Sequence, residues 1–250
     1  MYFFVVPLRS LHSVENAELL QSLLERTLRN LLSQTHQDFR IVVVCNEMPA
    51  SPVLGDHRIS IVQAELRIPR NVTERRLDMN TRISLGAEHA FQLAGSADFS
   101  IMKVDADDLV SVDIIQEAAA IDVQNGFVIN KGYFHSLGSN MLYKHYRFHE
   151  ICGSSVSLVM RKNGKSLFKT PGMFADLYLR SYHPKFPSLM ASRGRPLTYM
   201  PSYSAVYTMN YGENSSGNRL KYKWKPWRMQ WATDSIVRRF PGVTQRWPAA

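Results

Sequence analysis

From its second residue to about residue 104 the chain alternates short β-branched and aromatic runs with longer amphipathic stretches, and this alternation restricts the fold more than any single motif does. Tyr2 to Pro7 has the character of a buried strand closed by a proline. From Asn16 to Ser33 the apolar residues Ala17, Leu19, Leu20, Leu23, Leu24, Leu28, Leu31 and Leu32 recur at three and four, so one face of a helix is apolar and Asn16 can cap its start. Phe39 to Cys45 is nearly continuous in apolar residues, as expected of a strand covered on both faces. A short strand at Arg58–Val62, a helix over Thr73–Leu93, a fourth strand at Phe99–Val104 and a helix from about Val112 to Ile121 follow. Strands separated by helices predict an α/β fold with a mainly parallel sheet flanked by helices.

In such sheets ligands bind beyond the carboxyl ends of the strands. Three groups of residues fall on that edge: Pro7-Leu8-Arg9, Asn46-Glu47, and the carboxylates Asp105, Asp107 and Asp108. Crowded carboxylates repel one another unless a cation or water relieves them. A hard ion such as Mg²⁺ or Mn²⁺ takes oxygen ligands, usually one or two carboxylates plus substrate phosphates, so the cluster fits a metal-nucleotide site. The alternative is a solvated acidic turn that caps the helix after Ser111.

Strand-like pieces at Phe127–Asn130, Met141–Tyr146, Val156–Arg161 and Ala205–Met209 make up the second half, separated by Gly, Pro and Ser. We divide the chain into one domain over 1–211, with a nucleotide-binding half at 1–110 and an acceptor half at 111–211, and a basic aromatic segment at 212–250. Only Cys45 and Cys152 are present, too few for a disulfide framework, and no basic region precedes the first strand. No apolar run is long enough to span a bilayer, and the cysteine usage with no secretory signal sets the expected location as a reducing cytoplasm, with peripheral association on the inner face of the plasma membrane as the further expectation. The formal charge of +9 asks for an anionic partner without choosing among nucleotide, lipid surface and polymer.

Several segments together carry a family resemblance. Phe4-Val5-Val6-Pro7, the stretch Leu28 to Val44 and Val104-Asp105-Ala106-Asp107-Asp108, at their mutual spacing, resemble glycosyltransferases of the GT-A fold, most closely the family 2-like group and its rhamnosyltransferase-like relatives. Tyr207 to Ser215 is similar to the closing strand and loop of those relatives. The resemblance implies a nucleoside-diphosphate sugar across the strand ends and a Mn²⁺ or Mg²⁺ cofactor held by Asp107, with Asp105 toward the metal or ribose and Asp108 toward the donor sugar. Arg9, Arg82 and Lys103 become candidate phosphate or nucleotide contacts, alongside Pro7, Leu8, Asn46 and Glu47. It further implies inversion in one displacement, with a carboxylate as general base, and a saccharide or lipid-linked acceptor in cell-surface polysaccharide synthesis.

The chain departs from that pattern in three places. Pro171-Gly172-Met173-Phe174-Ala175-Asp176 resembles the family's Gly-Gly-Phe-Asp-Glu stretch, but no Glu-Asp pair follows. Asp176, His183 and Glu150 are therefore the candidate bases, His183 having an ordinary pKa suited to the task. Tyr211 stands where many relatives have a metal-binding His, and a neutral phenol is a poor Mg²⁺ ligand. Cys45-Asn46-Glu47 replaces the paired acids that often meet the base.

From Arg219 to Arg246 eight Lys or Arg residues face the single acid Asp234, interleaved with Tyr222, Trp224, Trp227, Trp231 and Trp247. Residues 219–247 suit an anionic membrane surface, a lid over the donor, or ordinary packing onto the domain. No nucleic acid is expected, because no motif for one is visible. The alternative to an enzyme is a non-catalytic nucleotide-sugar or anionic-surface binding protein that keeps the fold.

Overall fold

The computed structural model describes residues 1–121, 123–161, 174, 183–209 and 225–245. In chain order the elements are β1 (Tyr2–Pro7), α1 (Ala17–Leu32), β2 (Phe39–Cys45), β3 (Ile59–Gln63), α2 (Val72–Leu93), β4 (Phe99–Lys103), β5 (Leu109–Val110) and α3 (Ile114–Ala120). Then come β6 (Gly126–Val128), β7 (Lys131–Ser136), β8 (Met141–Tyr146), β9 (Val156–Met160), α4 (Phe186–Ser192), β10 (Thr198–Tyr199), β11 (Tyr203–Met209), β12 (Met229–Trp231) and α5 (Asp234–Arg239).

Among the described residues the strands form two sheets. The larger has the order β10-β6-β9-β4-β1-β2-β3. Its pairs β1/β2, β1/β4, β2/β3 and β10/β6 are parallel, and β9 alone runs against both its neighbours. The expected α/β fold with a mainly parallel, helix-flanked sheet is therefore what the chain adopts. Strand alternation splits the core into two layers. Phe4, Val6, Ile41 and Val43 meet Leu20, Leu24, Leu28 and Leu31 of α1, whereas Phe3, Val5, Val42 and Val44 meet Ile83, Ala87 and Ala90 of α2. Asn16 caps α1 as expected, its Oδ1 accepting the Leu19 N–H at 2.8 Å. At Gly86 a Cβ would stand 2.4 Å from Val5 Cγ1, so α2 approaches the sheet closely only because that residue has no side chain.

The smaller sheet has the order β12-β8-β7-β11-β5, in which β7 and β11 are parallel and the other pairs antiparallel. It shares the α1 layer through Phe134, Tyr143, Ala205 and Met209. Its other face packs Leu109, Tyr133, Leu142 and Val206 against Ile236, Phe240 and Val243. Over residues 225–245 the basic aromatic segment packs onto the domain, β12 pairing with β8 and Ile236 of α5 joining this core. Trp227 and Trp231 do not join that core, being 76% and 65% exposed. Lys225 lies over the Trp227 ring at 5.5 Å and Arg228 over the Tyr146 ring at 5.2 Å.

Candidate active site

At the carboxyl edge of the large sheet, β1 ends at Pro7 and β4 at Lys103, and these two strands are neighbours. The chain runs from β1 outward to β2 and β3 on one side, then crosses to β4 on the other. Their ends therefore flank the point where strand order reverses, which opens a crevice.

The path of the chain after β4 is dictated by α1. On the face beside its leucine stripe, Arg26 Nη2 donates to the Asp107 carbonyl at 2.5 Å and to Thr208 Oγ1 at 2.7 Å. Thr27 Oγ1 meets the carbonyls of Ala106 and Asp108 at 3.0 and 2.9 Å. Asn30 Oδ1 accepts the Val110 N–H at 2.9 Å, and just past the helix Gln34 Nε2 donates to the Ser111 carbonyl at 2.9 Å. These side chains are buried and hold the acidic loop along its backbone, leaving the carboxylates to be turned by the loop itself. Sequence analysis missed them. The available signal was the polar series Arg26, Asn30 and Gln34, spaced by four beside the leucine stripe and running just past the helix end.

The three carboxylates then take different environments. Asp105 and Asp107 are half-buried and line a cleft of about 210 Å³, together with Pro7, Arg9, Ser13, Leu20, Ile68, Pro69, Arg75, Asp78, Met79, Arg82, Ala106 and Tyr207. Asp108 does not line it. Fully buried, it accepts from Ser154 Oγ at 2.7 Å, Cys152 Sγ at 3.2 Å and the Thr208 N–H at 3.2 Å. Burial, with Asp107 and Asp105 beside it, pushes its carboxyl well above the usual carboxylate range. Asp108, expected toward a donor sugar, is turned inward here, where its carboxyl accepts from the β11 backbone.

Lys103 is likewise internal. Its ammonium, 3% exposed, forms an ion pair with Asp105 Oδ2 at 2.5 Å, and Asp105 is also anchored by Ser154 Oγ on its N–H at 2.8 Å. A Cβ at Gly153 would fall 2.5 Å from Lys103 Nζ, so that glycine leaves the room the ammonium uses. Lys103 thus meets a carboxylate instead of the cleft. Arg82 is buried yet reaches the cleft wall; it pairs with Asp78 at 2.9 Å and donates to the Leu8 carbonyl at 2.8 Å and to Asn46 Oδ1 at 2.5 Å. Leu8 is buried, and Asn46 spends its Nδ2 on the Leu66 carbonyl at 2.6 Å. Glu47 accepts from Ser10 Oγ and the Leu11 N–H, both at 2.8 Å. Burial works to raise the Glu47 carboxyl, but these two bonds, with its own backbone N–H and the nearby His12, outweigh it and hold it below its ordinary value. Leu8, Asn46 and Glu47 therefore shape the strand ends without lining the cleft, whereas Pro7 and Arg9 do line it.

Glu150 forms an ion pair with Arg147 in the turn Phe148–Glu150 and is not part of the cleft lining. The turn His183–Lys185 lies against that turn. Asp176, Tyr211 and residues 212–224 and 246–250 lie outside the described residues. Among the described residues no three or more His, Cys, Asp or Glu side chains converge on a metal position. The cleft offers the two carboxylates of Asp105 and Asp107, one of which already attracts an ammonium. That all-oxygen pair fits Mg²⁺ or Mn²⁺ where phosphates complete the coordination.

Fold and cleft define an α/β protein whose candidate site lies at a topological switch point, lined by Asp105, Asp107, the Arg82-paired Asp78 and accompanying arginines. No family model matches the chain, and no curated protein matches it. Among solved structures it is similar to residues 1–349 of Staphylococcus aureus TarS, with a TM-score of 0.46 and 14% identity, over 83% of this chain and 60% of that one. The same fragment in complex with UDP gives 0.45 at 14% identity, over 84% and 61%. A Desulfovibrio desulfuricans G20 protein named as a nucleotide-diphospho-sugar transferase gives 0.44 at 14%, over 97% and 92%. The chain spans about three fifths of the length of that TarS fragment.

Proposed function

We propose that the protein is a glycosyltransferase that moves a sugar from a nucleoside-diphosphate sugar to a hydroxyl of a saccharide or lipid-linked acceptor in cell-surface polysaccharide synthesis. The observation that carries this is the convergence of Asp105 and Asp107 with Arg9 and Arg75 in one cleft at the switch point between β1 and β4. Carboxylates and guanidinium groups facing one another across a crevice suit a ligand that carries both phosphate and a cation. Asp107, with Asp105 beside it, would hold Mn²⁺ or Mg²⁺. When bound, the ion supplies electrostatic stabilisation of the charge that grows on the leaving diphosphate.

The chain's own groups have separate tasks. Arg9 and Arg75 bind phosphate oxygens, and the buried Arg82 keeps the Leu8 carbonyl and Asn46 fixed beneath them. Transfer proceeds as one inverting displacement: the acceptor oxygen attacks the anomeric carbon as the bond to diphosphate breaks, and the hydroxyl proton passes to a base. Asp176, His183 and Glu150 are the candidates for that base.

The test is a thermal-shift series of nucleoside diphosphates and their sugars with and without Mn²⁺, on wild type and Asp107→Ala. Stabilisation by one nucleotide class that needs the metal, and is absent in Asp107→Ala, is the expected result, because a ligand selective for the native state raises its melting temperature. No shift with any nucleotide in well-folded protein overturns the proposal. Metal-dependent binding without transfer, unaffected by replacing Asp176, His183 or Glu150, favours the alternative of a non-catalytic binding protein.

A further inference from the structure

The first two turns of α2 overhang the large sheet. The stripe Val72, Met79, Ile83, Ala87 and Ala90 runs along one side of the helix, and from Ile83 onward it is buried against β1 and β2. Val72 and Met79, on the same stripe, are 63% and 36% exposed. Leu77 is 57% exposed and Ile68, in the preceding loop, 43%. Four of the eleven exposed large apolar side chains among the described residues thus fall within twelve consecutive positions, a cluster and not the usual scatter. Arg67, Arg70, Arg75 and Arg76 are exposed among them. The acids of this stretch are committed: Asp78 pairs with the buried Arg82, and Glu74 accepts from the Arg70 N–H at 2.7 Å and from Asn71. Ile68, Arg75 and Met79 also line the cleft, so the surface is continuous with its mouth.

We infer that this helix tip is a docking surface for an anionic lipid bilayer. Val72, Leu77 and Ile68 enter the boundary between headgroups and acyl chains, and Arg67, Arg70 and Arg76 meet the headgroup phosphates, Arg75 being left to the cleft. Charge complementarity selects an anionic partner, and the aliphatic side chains select one with an apolar phase. A nucleic acid satisfies the arginines but leaves Val72 and Leu77 in water, and the tip holds no aromatic ring on which bases stack. Docking in this way turns the cleft mouth toward the bilayer surface.

Vesicle sedimentation of the full chain tests this without nucleotide, so its outcome is independent of whether the cleft transfers a sugar. The probes are vesicles of phosphatidylglycerol mixed with phosphatidylcholine, vesicles of phosphatidylcholine alone, and a single-stranded oligonucleotide. Wild type should bind the anionic vesicles selectively. Binding should weaken about tenfold or more in Val72→Ser with Leu77→Ser, and separately in Arg70→Gln with Arg76→Gln, at unchanged melting temperature. The two pairs act through different chemistry, so loss of fold in one leaves the other decisive. Equal binding to neutral vesicles, unaltered binding in both pairs, or loss seen only in Trp227→Ala with Trp231→Ala overturns the inference. So does tighter binding to the oligonucleotide that only the arginine pair weakens.

Discussion

At the residue scale, three aspartates within four positions have different fates, and the difference is set by what stands opposite each. Asp107 lines the cleft, Asp105 lines it while paired with the buried Lys103, and Asp108 is consumed inside the fold. Sequence proximity placed all three in one ligand cluster. Nothing local distinguishes them, because Ser154, Cys152 and Thr208 come from distant parts of the chain. The Lys103–Asp105 pair carries a prediction. In Lys103→Met the Asp105 carboxylate loses its cation, and breaking a desolvated pair leaves an uncompensated charge. In EDTA the variant should be less stable than wild type by about 1–2 kcal/mol, since Asp105 stays partly solvated. Mn²⁺ should restore its melting temperature by more than it raises that of wild type. A variant as stable as wild type in EDTA and equally insensitive to Mn²⁺ would show that Lys103 has no such role.

At the element scale, the leucine stripe of α1 and the β-branched strands were legible because periods of 3.6 and 2 are written directly in the order of residues. Strand direction was not. Val156–Met160 is as apolar forward as backward, and β9 runs antiparallel only because of where the chain arrives. β7 was not foreseen, since Gly132 and His135 interrupt the apolar pattern of Lys131–Ser136. Here Gly132 is required by Phe148, whose ring atoms would lie 2.4–2.6 Å from a Cβ. The polar face of α1 is the element's second function, and Thr27 is one of its fully buried members. Thr27→Val keeps the shape and removes the donor to the Ala106 and Asp108 carbonyls. We expect a loss of about 1–3 kcal/mol in urea unfolding, together with a smaller nucleotide-induced thermal shift. Unchanged stability would mean that the loop holds its path without the helix.

At the scale of the whole molecule, the two sheets share the α1 layer, and buried imidazoles of β7 and β8 lie within the smaller one. His135 is 1% exposed with Nε2 2.7 Å from the Ser139 carbonyl, and His145 stacks on Phe134 at 4.5 Å. Burial lowers both to about 4 from an ordinary value near 6.5. The unfolded chain therefore binds more protons than the native one between those values. Stability is full above about pH 6.5 and falls as the pH drops toward 4, by up to about 1.4 kcal/mol per pH unit for each imidazole. Denaturant unfolding at pH 7, 6 and 5 checks this. His145→Phe, which keeps the stack and removes one titration, should flatten the slope; an identical slope in the variant would exclude His145 as a source.

By itself the sequence determined the main strands and helices from β1 to β4, the α/β class and the edge on which the candidate site lies, because these follow from local periodicity and from strands alternating with helices. Tertiary structure alone decided the reversal of β9, the incorporation of residues 225–245 into a second sheet, and the separation of Asp105 and Asp107 from Asp108. It also decided the overhang of α2. Each of these depends on partners far apart in the chain, and the environment that turns a carboxylate inward or leaves a helix tip in solvent exists only once those partners have met.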